Sequence, residues 1–220
     1  SVIAVPLESA APLSKIRAIH PARDAVYVRC EQELLRWDRV NPATRVSLPG
    51  RIFTSFLWRE TLFAAVDGRG IECWTRERGW ERVVPHTENP LGLGLFQALP
   101  LEHGVVLASA DLGLGFFDGA TVAAIDTGLD AHFSNAVAPV ALADGERWVF
   151  NDDSGRLILV DARDPRRWWT INLLESFGIG SARHMLRDAR GGLWIASETT
   201  LTRLHFDWPH RVFTGRLVDD

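Results

Sequence analysis

Lysine is all but missing from this chain of 220 residues: Lys15 is the only one, and every other fixed cation is an arginine. Such a bias reflects genome composition and does not define a binding device. Only two cysteines occur, Cys30 and Cys73. They lack metal-ligand spacing and cannot build a disulfide framework, so they read as one pair or two free thiols, with buried thiols acting as small hydrophobes expected. No apolar run approaches the ~20 residues of a membrane span, and no charged-then-apolar segment opens the chain, so direct membrane insertion is not expected. A net charge of −4 leaves no general basic footprint for nucleic acid. Also missing are a Gly-x-Ser-x-Gly elbow, a His-Glu-x-x-His pair and a phosphate loop; Gly92-Leu93-Gly94 lacks the third glycine and a following helix. No catalytic residue is assigned, and no cofactor or metal is expected.

What is present is globular. Hydrophobic residues make up 46% and charged residues 24%, which excludes disorder, collagen and coiled coil. A chain of this length can bury roughly 70% of its unfolded surface, so a core needs neither disulfide nor metal. The 11 prolines and 18 glycines are scattered, which argues against a helical bundle. Charge is uneven. Between Arg82 and Arg147 there is no Lys or Arg, while Glu88, Glu102, Asp111, Asp118, Asp126, Asp130, Asp144 and Glu146 all fall there. On formal charge alone this sector disfavours anionic ligands.

Five short β-rich segments recur, centred on Tyr27, Phe63, Leu107, Val149 and Ile195. Each runs into a polar or glycine-bearing turn, such as Asp67-Gly68-Arg69-Gly70 or Asp152-Asp153-Ser154-Gly155, and then into a second apolar run. Strand, Asp/Gly turn, strand is a hairpin signal. A partly alternating stretch precedes each hairpin and an outer strand follows it. Four antiparallel strands repeating every ~40–50 residues define a β-propeller blade. The expected fold is therefore all-β, a single propeller region over residues 1–220 with blades at about 14–50, 51–94, 95–136, 137–182 and 183–220. Residues 1–8 read as an outer strand belonging to no complete blade. Either five blades close with a spare edge or they form part of a larger ring, and an open array would invite homodimerisation or other self-association.

The run Arg187-Asp188-Ala189-Arg190-Gly191-Gly192-Leu193-Trp194-Ile195-Ala196-Ser197, continued by Leu201-Thr202-Arg203-Leu204-His205-Phe206-Asp207, resembles the two-component regulator propeller repeat. Residues 111–118 match the later half of that signature and 157–161 match it weakly. The resemblance implies the extracytoplasmic or periplasmic sensor region of a bacterial signalling protein, which binds a ligand and leaves the response to a separate effector.

Strand direction places residues before any coordinates. The turns after each second strand share a face with the connections between blades. The turn acids Glu31, Asp67, Asp111 and Asp153 fall there, as do His86 and Asn89, His132 and Asn135, and residues 175–182. Asp commonly serves a turn by bonding its own backbone, and a loop histidine is commonly only solvated. The candidate ligand-binding set is His86, Asn89, Asp111, His132, Asn135, Asp153 and Trp169, converging on a small neutral or cationic ligand such as a saccharide or peptide. Trp37, Trp74, Trp148 and Trp194 are expected between blades. Trp168 and Trp169 must point to opposite sides of their strand, leaving one exposed, and Trp58 beside a turn is expected exposed as well. The leading expectation is a ligand-sensing propeller acting by binding. The alternatives are a protein–protein interaction scaffold and, behind it, a propeller lyase or hydrolase.

Overall fold

Five times along the chain, four strands pair in sequence order, each antiparallel to the one before. Blade 1 comprises β1 (Ile16–Pro21), β2 (Val26–Cys30), β3 (Leu34–Trp37) and β4 (Thr44–Val46). Blade 2 comprises β5 (Ile52–Trp58), β6 (Thr61–Val66), β7 (Gly70–Thr75) and β8 (Gly79–Pro85). Blade 3 comprises β9 (Leu95–Pro100), β10 (Val105–Ser109), β11 (Gly113–Phe117) and β12 (Val122–Ile125). Blade 4 comprises β13 (Val140–Ala141), β14 (Arg147–Asn151), β15 (Arg156–Asp161) and β16 (Trp168–Asn172). Blade 5 comprises β17 (His184–Arg187), β18 (Leu193–Ala196), β19 (Leu201–Asp207) and β20 (Arg211–Arg216). The molecule is a five-bladed β-propeller. This computed structural model describes residues 15–31, 33–92, 95–110, 112–129, 133, 138–142, 145–207 and 211–216. The strand expected at residues 1–8 and the candidates Asp111, His132 and Asn135 lie outside them.

The repeat signature of blade 5 is a staple for its turns. Asp188 Oδ1 accepts from the backbone N–H groups of Arg190 and Gly192 at 2.9 and 2.8 Å. Its Oδ2 accepts from Trp194 Nε1 at 3.0 Å and from Arg203 Nε at 2.7 Å. One carboxylate thus ties a turn to two strands of the blade, and these donors, Arg203 foremost, hold its pKa far below the ordinary carboxylate range. A side chain at Gly192 would put Cβ 2.6 Å from Arg203 Nε, so glycine is needed for the guanidinium to reach Asp188.

Two features of blade 4 have local causes. Strand β13 is only two residues long, Val140–Ala141; Pro139, directly before it, has no N–H to give the ladder. The outer strand of blade 4 ends at Asn172, because Asn172 caps a helix, α1 (Leu173–Phe177). Its Oδ1 accepts from the N–H groups of Leu174 and Glu175, and Gly178 closes the helix in the left-handed region. Among the described residues no helix is long and apolar enough to cross a membrane.

The cores lie between blades. Tyr27, Leu34 and Leu62 join blades 1 and 2. Phe56, Trp58, Phe63, Leu107 and Phe117 join blades 2 and 3. Val106, Phe133, Phe150 and Ile158 join blades 3 and 4, and Val149, Leu159, Met185, Ile195 and Leu204 join blades 4 and 5. Trp58 is corrected from the exposed position expected: it is 6% exposed, and its Nε1 donates to the Leu101 carbonyl at 2.9 Å. Gly119, at φ +109°, opens the slot it fills; a Cβ there would sit 2.9 Å from the indole. Trp168 is the more exposed of its adjacent pair, and its Nε1 donates to the Thr127 carbonyl. Both cysteines are free, Cys30 buried and Cys73 partly so.

Candidate functional site

The innermost strand of every blade is its first, and the innermost segments surround a cavity of about 600 Å³. Strand β1 contributes Arg17 to Pro21, β5 contributes residues 53–57, β9 contributes Gln97, Ala98 and Pro100, the approach to β13 contributes Ala138 and Pro139, and β17 contributes His184. Arg29 reaches in from β2. Cavities of 300–1,000 Å³ suit small-molecule ligands. Arg17, Gln97 and His184 lie near the beginnings of their strands and Arg29 near the end of its own. Antiparallel order brings those strand ends to one face, which also carries the second-to-third-strand turns and the connections between blades.

Polar groups in the wall are held by specific partners. His20 Nε2 and Ser55 Oγ share a hydrogen bond of 2.8 Å across blades 1 and 2. Burial, reinforced by the charge of Arg29, lowers the imidazole pKa to about 4, so it is neutral at physiological pH. An imidazole this weakly basic suits hydrogen bonding to a ligand more than proton abstraction. Arg29 Nη1 donates to the Ile52 carbonyl at 3.2 Å, which fixes the guanidinium against blade 2. Gln97 Nε2 donates to the backbone oxygen of Asn151 at 2.9 Å, tying blade 3 to blade 4 behind the wall. Arg17 pairs with Glu31 at the exposed rim. Ile19, Phe53, Phe56 and Pro139 supply apolar lining between these groups.

None of the candidates among the described residues (His86, Asn89, Asp153 and Trp169) lines this cavity. His86 and Asn89 do share the connection between blades 2 and 3. Asn89 is buried and works as a turn former, its Oδ1 accepting from Leu91 N–H and its Nδ2 donating to the Gly92 carbonyl. His86 opens a short 3-10 turn, with Nδ1 buried and unpartnered. Asp153 is exposed, and the turn it was assigned to is held by its buried neighbour Asp152, whose carboxylate accepts from Ser154 and Arg156. Trp169 lies on the outermost strand, opposite Leu159, with the Arg167 guanidinium 5.9 Å from its ring centroid. The acid-only stretch is partly neutralised from blade 4: Asp126 pairs with Arg166 and Glu146 with Arg163. The residues that sequence reasoning missed are Arg17, His20, Arg29, Ser55, Gln97 and His184. The available signal was a polar side chain within the inner strands of blades 1, 2, 3 and 5, where a purely structural strand would be apolar.

No family model matches the sequence, and no curated protein does. Solved structures do match in fold. The extracellular domain of a hybrid two-component system from B. thetaiotaomicron superposes with a TM-score of 0.73 at 11% identity, over 96% of this chain and 29% of that domain. The extracellular domain of a one-component system from the same organism gives 0.68 at 11% identity, over 96% of this chain and 32% of that one. Virginiamycin B lyase from Staphylococcus aureus gives 0.68 at 9% identity, over 92% and 70%. The chain therefore spans about a third of each of the two extracellular domains. These likenesses place the resemblance seen at residues 187–207 on a matching fold.

Proposed function

We propose that this chain is a ligand-binding sensor propeller of a signal-transduction protein, situated outside the cytoplasm and acting by binding. The observation that carries this reading is the central cavity, lined by the innermost segments of all five blades. A ligand seated there touches every blade at once, so binding changes the relative free energy of different blade arrangements, which a coupled effector can read. Support comes from fold neighbours that are extracellular domains of two-component and one-component systems. The ligand is of saccharide or peptide size. The test is a thermal-shift screen of sugars, sugar acids, amino acids and short peptides, because a molecule that binds only the native state raises the melting temperature. At least one class should raise it, and that rise should vanish when His20 and Ser55 are both replaced by alanine. A rise that persists in that variant places the site elsewhere, and no rise with any class ends the sensor reading in favour of a protein-docking scaffold. The feature that favours the scaffold is Trp168, exposed on the outermost strand of blade 4.

A further inference from the structure

The chain as a whole is acidic, with 28 Asp and Glu against 24 Lys and Arg. Its central cavity has the opposite character. Arg17, His20, Arg29 and His184 line it, and none of the described lining residues is an aspartate or glutamate. A wall built only of cationic and neutral groups repels cations and focuses an attractive potential on anions, because the low-dielectric walls screen the field poorly.

Within that wall the two arginines differ. Arg17 is compensated by Glu31. Arg29 has its Nη1 on a backbone carbonyl of blade 2, while its Nε is buried without a hydrogen-bond partner. Burial, and then the nearby charge of Arg17, push the Arg29 guanidinium below its ordinary pKa, as happens when a cation is desolvated beside another cation. A partly buried, incompletely paired guanidinium is unfavourable in the empty protein, and a ligand anion relieves it. The rest of the wall describes the remainder of the ligand. The His20–Ser55 pair offers hydrogen bonds to a hydroxyl group, and Ile19 and Phe53 offer apolar contact to a carbon skeleton.

We infer that the cavity takes a small carboxylate-bearing polyol, of the size and chemistry of a sugar acid, with its carboxylate directed to Arg29. This rests on the sensor reading above and replaces the neutral or cationic ligand suggested by formal charge along the sequence with an anionic one.

The test is calorimetric titration of the full chain with three probes of similar size: D-glucuronate, D-glucose and D-glucose 6-phosphate. Glucuronate should bind, glucose should bind much more weakly, and added salt should weaken the glucuronate interaction. Arg29→Gln should weaken glucuronate binding by roughly 10- to 100-fold, the loss expected for a hydrogen-bonded charged group, and leave glucose unchanged. Because Arg29 also ties blade 1 to blade 2, Arg29→Lys serves as the second variant: it keeps the charge and should retain part of the affinity. Glucose binding as tightly as glucuronate overturns the inference while leaving the sensor reading intact. Glucose 6-phosphate binding in an Arg29-dependent way without glucuronate overturns the carboxylate assignment. Glucuronate binding that neither Arg29 variant changes overturns the assigned anchor. If none of the three binds, the anion inference falls, and the sensor reading is then decided separately by the wider screen.

Discussion

Adjacent interfaces in this propeller solve the same packing problem in opposite ways. Between blades 2 and 3, aromatic rings fill the space: Phe63 meets Phe117 edge-on at 5.3 Å between centroids and stacks on Phe56 at 5.5 Å, with Trp58 completing the cluster. Between blades 1 and 2 the apolar cluster is thinner, and the register puts polar groups on the same sides of the sheets. His20, Tyr27, Arg29 and Arg36 share a side of blade 1, facing Ser55, Leu57, Leu62, Glu72 and Trp74 of blade 2. Glu72 is fully buried, paired with Arg69. The first interface is stabilised by burial of apolar area; the second relies on directional bonds, and those bonds reach the cavity. The lesson is that binding polarity is concentrated at one seam of the ring, while the neighbouring seam supplies stability.

Three measurements sharpen that contrast. Phe117→Ala, which empties the centre of the aromatic seam, should cost about 3–5 kcal/mol in urea denaturation; a cost under ~1 kcal/mol would show that this seam repacks freely and would erase the distinction. The polar seam should respond to pH instead. His20, whose ordinary pKa of 6.5 is lowered to about 4, binds its proton more weakly in the folded than in the unfolded chain. Its contribution is therefore fully present above pH 6.5 and lost as pH falls towards 4, by up to about 3 kcal/mol. The groups around it are Arg29 and Tyr27 on β2, Ser55 on β5 and Arg17 on its own strand. His20→Gln should flatten the fall in stability between pH 7 and pH 4.5; an unchanged slope would mean that His20 does not carry it. The smallest effect belongs to the exposed pair Asp126–Arg166, which links blade 3 to blade 4 and is part of neither apolar cluster. Asp126→Asn should leave the melting temperature unchanged within error, since solvent screens such pairs.

Most of the fold was legible in sequence because hairpins are local. The strands Leu34–Trp37 and Leu193–Ala196 fall where their alternation and flanking turns put them, and the Asp188 signature marked a turn that the structure staples in place. The site was not legible, for two physical reasons. First, an acid at a turn answers to its own backbone, so Asp152 and Asn89 spend their oxygens on neighbouring N–H groups. Second, Arg29, Ser55, Gln97 and His184 come together only when separate blades are arranged around one axis, and no spacing along the chain encodes that convergence. Trp58 misled for the same reason: it stands at a strand end beside a turn, and its cover comes from Leu101 and Gly119 of the next blade.

The placement of the four inter-blade cores has a consequence for how information moves. Among the described residues, each of the four apolar clusters joins blades adjacent in sequence, so these clusters form a line from blade 1 to blade 5. The cavity is wired differently. It meets the innermost segment of every blade, so an occupant is a hub joined to five spokes. Filling it converts a serial network into a parallel one and shortens the path between any two blades to a single shared ligand. Hydrogen exchange would record the change as simultaneous protection of all five innermost segments, where the empty ring would open blade by blade.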